Sequence, residues 1–236
     1  MKENYLGIDV SSYSYKNLMT HVVEDINEDK QSFIVAINPE KILTAQQDNN
    51  LMRLLNQATY QIPDGVGILI ASRIKKGNIR ERVTGIDMLE ALCEMASVNG
   101  KSIFLYGAKP GVADQAKFNL IKKFPSLKVA GVLDGYEKDQ ELIKNTINMA
   151  QPDILFVALG SPTQEYWIVD NMEDLNVNIF QGVGGSFDVL SGRTKRAPKF
   201  FQKIGLEWFY RLMKEPYRIK RQLKLPLFLL KVWKTK

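Results

Sequence analysis

Apolar positions fall into short continuous runs, separated by stretches in which they recur every three or four residues. Phe33-Ile34-Val35-Ala36-Ile37 is apolar throughout and stops at Asn38-Pro39, as expected of a strand buried on both faces. Residues 40–58 then place Ile42, Leu43, Leu51, Leu54 and Leu55 at helical spacing. A second helix is predicted over residues 83–98. Ser102-Ile103-Phe104-Leu105-Tyr106 reads as a strand stopped by Gly107, and Pro110 stands where a helix reaching Phe124 would begin. Lys128-Val129-Ala130-Gly131 is a short strand. The clearest strand covers residues 153–159 and is closed by Gly160-Ser161-Pro162, with Thr163 placed to cap the next helix. Asn178-Ile179-Phe180 is a last strand, running into Gln181-Gly182-Val183-Gly184-Gly185.

Uniformly apolar strands alternating with helices predict an α/β fold, a parallel sheet covered by helices on both faces. Ligands of such sheets bind at the carboxyl ends of the strands. Asn38, Gly107, the segment 160–165 and the segment 182–185 all gather at those ends.

After residue 194 the pattern changes. Pro198, Pro216 and Pro226 divide the tail into short helices. Leu206, Phe209, Tyr210 and Met213 form one apolar stripe. Leu223, Leu225, Leu227, Phe228, Leu229, Leu230, Val232 and Trp233 form a denser apolar end interleaved with lysines. That end is too short to span a bilayer and suits a helix lying in the membrane interface. Two regions are therefore expected: a core over residues 1–194 and a membrane-associating, basic amphipathic appendage over residues 195–236.

Charge sharpens this division. The whole chain carries +6, but residues 195–236 hold thirteen Lys or Arg against two Glu, a net +11. The first 194 residues hold 19 Lys or Arg against 24 Asp or Glu, a net −5. A tail of that kind seeks phosphates, of lipid, nucleic acid or a small ligand. The single cysteine, Cys93, excludes an internal disulfide and fits a reducing compartment. It falls at an apolar helical position and reads as a core residue. The single histidine, His21, excludes a His-rich metal cage and reads as a surface residue. No signal-peptide pattern opens the sequence, and no run of eighteen apolar residues occurs. The expected location is cytoplasmic, on the inner face of the membrane.

Several segments carry candidate chemistry. Gly182-Val183-Gly184-Gly185 has the form of a phosphate-binding turn and equally that of a plain strand-to-helix turn. It lacks the dinucleotide-binding glycine spacing, and the chain has no Walker A motif. Asp64, in Pro63-Asp64-Gly65-Val66-Gly67, has two roles open to it. It could cap a helix starting near Val66, which local pattern alone favours, or take a proton from a hydroxyl at the edge of a site. Arg82 precedes an apolar helix and could point into the site or stay solvated. Arg211, Arg218 and Arg221 are spaced for one helix side, softened by Pro216, and Arg suits a diphosphate.

Six motifs then occur in order: Asn38-Pro39-Glu40; Pro63-Asp64-Gly65-Val66-Gly67; Glu81-Arg82-Val83-Thr84-Gly85; Ala158-Leu159-Gly160-Ser161-Pro162-Thr163-Gln164-Glu165; Gly182-Val183-Gly184-Gly185-Ser186-Phe187-Asp188; and Arg196-Ala197-Pro198. With them the sequence resembles the WecG/TagA/CpsF family of bacterial glycosyltransferases, over nearly the whole chain. The resemblance implies a Rossmann-like core and transfer of N-acetylmannosamine from its UDP ester to N-acetylglucosamine on undecaprenyl diphosphate. It further implies inversion to a β-linked disaccharide-lipid for wall teichoic acid or a related polymer, with no cofactor and no metal. The family's catalytic aspartate falls on Asp64, and its pocket positions fall on Asn38, Arg82 and Gln164. The UDP-sugar site would draw on Gly107, Gly160, Pro162, Gln164, Glu165, Gly182, Gly184, Gly185 and Asp188. The lipid diphosphate would meet Arg211, Arg218 and Arg221. One departure is Ala36, where many members carry threonine.

The expected partners are thus a UDP-sugar, a polyprenyl-diphosphate acceptor and a membrane surface. The resemblance also implies that the chain can form a homo-oligomer through its core, for which the sequence itself carries no signal. A rival donor, glucose or N-acetylmannosaminuronic acid, fits the same residues. A non-catalytic nucleotide-binding module with a nucleic-acid-binding tail is the remote alternative. The tail's aliphatic face and Trp233 argue against nucleic acid.

Overall fold

The computed structural model describes residues 2–203, 205–214, 219 and 223–235. The chain opens with an antiparallel hairpin, β1 (Lys2–Tyr5) and β2 (Ile8–Ser11), and then α1 (Tyr15–Asn27). The core follows as β3 (Ser32–Ile37), α2 (Pro39–Ala45), α3 (Asn49–Gln57), β4 (Tyr60–Pro63), α4 (Val66–Ile74), α5 (Gly85–Asn99), β5 (Ser102–Gly107) and α6 (Val112–Lys123). It continues through β6 (Lys128–Leu133), α7 (Gln140–Ala150), β7 (Ile154–Ala158), α8 (Thr163–Asn171), β8 (Ile179–Gly182) and α9 (Ser186–Leu190). After the core come α10 (Lys199–Lys203), α11 (Glu207–Lys214) and α12 (Lys224–Lys234).

The six core strands form one sheet in the order β4-β3-β8-β7-β5-β6, and every neighbouring pair is parallel. The expected α/β architecture is therefore present. Alternation along β3 divides its side chains between the two faces. Phe33, Val35 and Ile37 belong to the apolar layer that also holds Leu54 and Leu55 of α3 and, farther along the sheet, Ile143 and Ile147 of α7. Ile34 and Ala36 belong to the layer on the opposite face, with Leu89, Leu92 and Cys93 of α5 and Leu120 of α6. Cys93 is fully buried, and burial pushes its thiol up, so it behaves as a small apolar residue.

Three local readings change. The helix expected over residues 40–58 is two helices, because Asp48 starts a new one by accepting from Asn50 N at 3.1 Å and Leu51 N at 3.0 Å. Strand β4 is hidden in the sequence by Gln61, which is fully buried. Its Nε2 donates to the carbonyls of Leu55 at 3.0 Å and Ala58 at 2.9 Å, and so satisfies a polar group inside the core. Thr163 does not cap α8. It is the first helical residue, the cap is Pro162, and no side chain bonds the helix start.

The apolar end of the tail also divides. Phe228 and Val232 of α12 are fully buried against the core face that holds Ile42, Ile68 and Ala71. Burying two such side chains stabilises by about 3–6 kcal/mol before ordering costs. Leu223, Leu227, Leu230 and Trp233 point the other way and are exposed. Among the described residues no helix is long and apolar enough to cross a membrane.

Candidate active site

The carboxyl ends of β3, β4, β7 and β8 open into a cavity of about 590 Å³. Asn38 and Asp64 stand at the ends of the first two. The backbone carries Asp64 there: its N–H donates to Ile37 O at 2.8 Å, and Val83 N donates to Pro63 O at 3.0 Å. Gly65 follows with φ 88° and serves as the N-cap of α4, with no side-chain cap bond. Asp64 is therefore one residue outside the cap position and does not cap the helix, although local pattern favoured that role. The capping role goes to Asn38, whose Oδ1 accepts from Lys41 N at 2.9 Å in α2. What Asn38 can then offer a ligand in the cavity is its amide NH2.

Opposite them stands the start of α8. Gln164 borders the cavity and has 3% exposure. Its Oε1 accepts from Gly184 N at 2.9 Å, and its Nε2 donates to Glu165 Oε1 at 2.9 Å. The amide is thus clamped between the glycine turn after β8 and a buried carboxylate. A methyl group at Gly182 would lie 2.6 Å from Gln164 Nε2, so any side chain there would displace the clamped amide. Glu165 is fully buried and also accepts from Lys41 Nζ at 2.7 Å.

The tail contributes the remaining wall. Gly205, Glu207, Trp208 and Leu225 border the cavity beside Arg82. Arg82 Nη2 donates to Gln202 O at 3.3 Å and lies 3.8 Å from Glu207 Oε2. Arg196 Nε lies 3.7 Å from Glu207 Oε1, and its Nη1 pairs with Asp87 Oδ1 at 2.6 Å. Burial pushes the Asp87 carboxyl up, but hydrogen bonds from Arg196 and Thr84 outweigh it and hold the group below the usual carboxylate range. Thr84 caps α5, and its own N–H donates to the Tyr15 hydroxyl oxygen at 2.8 Å. Burial raises the Tyr15 hydroxyl well above its ordinary value, so Tyr15 stays neutral.

The sequence matches the profile of the Glycosyl transferase WecG/TagA/CpsF family over residues 3–236. The chain belongs to that family. It is 39% identical over 201 residues to an N-acetylglucosaminyldiphosphoundecaprenol N-acetyl-beta-D-mannosaminyltransferase of Bacillus subtilis (strain 168), covering 85% of this chain and 78% of that protein. A protein of the same name from Bacillus spizizenii (strain ATCC 23059 / NRRL B-14472 / W23) is 37% identical over 209 residues, covering 89% and 81%. One from Staphylococcus aureus (strain MW2) is 32% identical over 242 residues, covering 100% and 95%. The chain is accordingly a glycosyltransferase by family.

Against that family the residues singled out from sequence sort into three groups. Asp64, Asn38, Arg82, Gln164, Gly160 and Asp188 border the one cavity, as do Gly182, Gly184 and Gly185. Gly107, Pro162 and Glu165 do not. A methyl at Gly107 would lie 2.6 Å from the Ala158 carbonyl, so this glycine serves strand packing between β5 and β7. Glu165 acts from behind the wall, through Lys41 and Gln164. Arg211 belongs to α11, and its side chain lies outside the described part of the structure, as do Arg218 and Arg221 entirely. Sequence reasoning missed Lys41, Glu207 and Leu225. The only local signal was Glu165 following Gln164, a charge in the first turn of a helix due to be buried.

Proposed function

We propose that the chain transfers N-acetylmannosamine from UDP-N-acetylmannosamine to N-acetylglucosaminyl-diphospho-undecaprenol. The anomeric carbon inverts and a β-linked disaccharide-lipid forms for wall teichoic acid or a related surface polymer. Asp64 is the base: it removes the proton of the acceptor hydroxyl as that oxygen attacks the anomeric carbon, while UDP departs. The observation that carries this reading is the position of Asp64, a carboxylate carried to the cavity edge by the end of β4, beside Asn38 and Arg82. The names of the relatives supply the substrates. Asn38, through its amide, and Arg82 are the neighbouring groups that orient substrate.

The reaction takes place on the inner face of the cell membrane, and the tail brings the site there. Support comes from α12, whose outward stripe of Leu223, Leu227, Leu230 and Trp233 is flanked by Lys224 and Lys231. Arg211, Arg218 and Arg221 would then meet the lipid diphosphate, and residues 195–236 act as the membrane-associating unit of a core over residues 1–194.

The test is release of UDP with a short-chain analogue of the lipid acceptor and a panel of UDP-sugars. UDP-N-acetylmannosamine is expected to be the preferred donor, and preference for UDP-glucose or a uronate donor would overturn the substrate assignment. Asp64→Asn is expected to bind UDP normally and to lose turnover by about 10²–10⁴-fold. Near-normal turnover would remove Asp64 as the base.

A further inference from the structure

Among the described residues, two cationic side chains border the cavity, Lys41 and Arg82. Each is paired with a carboxylate, but the two pairs differ in kind. Arg82 faces a tail glutamate at 3.8 Å. Lys41 is held by Glu165 at 2.7 Å inside the core, with side-chain exposures of 8% and 0%. A lone buried ammonium is expensive, and pairing removes most of that cost. The pair is also oriented. Lys41 borders the cavity and Glu165 does not, so of the two partners the cation is the one that stands on the ligand side.

Lys41 starts on α2, beneath Asn38, yet its ammonium ends at the first turn of α8. There it shares Glu165 Oε1 with the Gln164 amide, and Gln164 in turn holds Gly184 N. One carboxylate oxygen thus fixes a cation, an amide and the glycine turn after β8. Glu165 Oε2 is buried with no hydrogen-bond partner among the described residues, so the bonds to Oε1 are the ones seen to hold this carboxylate. Gly184 and Gly185 border the cavity with no side chain to hold a ligand off.

From this geometry we infer that Lys41 is a binding residue for the diphosphate of the nucleotide donor, and that Glu165 is a positioning residue that holds Lys41 and Gln164 in place. The inference rests on the glycosyl-transfer reading and assigns it a cation on the donor side. As the glycosidic bond to the diphosphate breaks, negative charge grows on the departing oxygen, and a positive group already in place needs no reorganisation to meet it.

The experiment uses the full chain, with UDP as the probe in titration calorimetry and thermal melting as the measure of fold. Lys41→Met is expected to raise the UDP Kd by roughly 10–100-fold, the size of a lost hydrogen bond to a charged group. The double variant Lys41→Met with Glu165→Gln makes the buried pair neutral. It is expected to melt close to the unsubstituted chain and still bind UDP as weakly as Lys41→Met alone. A double variant that recovers both melting temperature and UDP affinity would mean that the pair is a brace only, and would overturn the assignment. Lys41→Arg keeps the charge and gives a second reading if the double variant does not fold. UDP affinity within about threefold of the unsubstituted chain supports the assignment, and a loss as large as that of Lys41→Met overturns it. If the unsubstituted chain does not bind UDP at all, the glycosyl-transfer reading fails. Binding that is indifferent to Lys41 sinks only the present inference.

Discussion

The Glu207 carboxylate, at the start of α11, lies 3.8 Å from the Arg82 guanidinium at the cavity wall. Its other oxygen faces Arg196, which is locked to Asp87 at the start of α5. A residue of the tail therefore sits among the charges that line the site, and tail docking and site geometry are coupled through it. The distances are longer than those of hydrogen-bonded ion pairs, so the coupling is mainly coulombic in a half-buried setting. Glu207→Gln keeps shape and removes the charge. It is expected to lower kcat/KM by about tenfold, in proportion to an interaction of roughly 1–2 kcal/mol, while vesicle binding persists. Steady-state kinetics alongside vesicle flotation checks this. Unchanged kinetics would mean that Glu207 is only a structural tie.

The tail packs tightly against the core at Gly67. A methyl group there would lie 2.5 Å from both Leu225 Cδ1 and Pro39 Cγ. Pro39 is fixed in the first turn of α2, so the tail has to yield. Gly67→Val is expected to displace α12 from α4, reduce activity and increase protease cleavage after residue 195, with the core still folded. Adding Leu225→Ala makes room on one side and is expected to restore part of the activity. If Gly67→Val alone leaves cleavage and turnover unchanged, α12 is not seated on the site during catalysis.

How much of this is legible without coordinates depends on the physics of each residue. The buried strands are legible because parallel strands covered on both faces are apolar at every position, as in β3 and β7. β4 is not, because its inward Gln61 is satisfied by backbone carbonyls that only the fold brings near. The cavity-lining glycines and Asp64 are legible as turn residues at strand ends. The pairing of Glu165 with Lys41 is not legible, because the two lie 124 residues apart in the chain. The division of α12 into a core face and an outer face is invisible for a related reason. Both faces are leucine-rich, and only packing decides which side the core takes.

That division separates two kinds of tail variant. Leu227→Ser, Leu230→Ser and Trp233→Ser together alter side chains that are 49%, 58% and 61% exposed. They are expected to leave the melting temperature nearly unchanged and to weaken binding to anionic vesicles by more than about tenfold, from lost apolar burial in the interface. Phe228→Ala acts on the opposite face and is expected to cost about 3–5 kcal/mol of stability by leaving a cavity. Vesicle sedimentation and thermal melting distinguish them. Loss of stability in the triple variant would mean that the outer stripe is covered by protein and not by lipid.

The Asp87–Arg196 pair sets an acid limit on this arrangement. Burial works against the Asp87 carboxylate, but Arg196 and Thr84 lower its pKa in the folded chain below the unfolded value. A depressed carboxylate contributes stability that is fully present above its unfolded pKa, near pH 4, and lost as pH falls through the folded value. Down to about pH 5 the contribution is intact, and it is lost progressively as pH falls through about 4 and below. Asp153 follows the same course: burial is outweighed by its bonds from Ser102 and Lys101. Both therefore make the melting temperature fall with acidification. Asp87→Asn is expected to lower the melting temperature at pH 7 and to flatten its slope between about pH 5 and 3, because the variant has no proton to take up there. Melting curves across that range decide the matter. A variant with the unsubstituted chain's slope would place the acid sensitivity elsewhere and leave Arg196, with the Glu207 contact it supports, indifferent to pH.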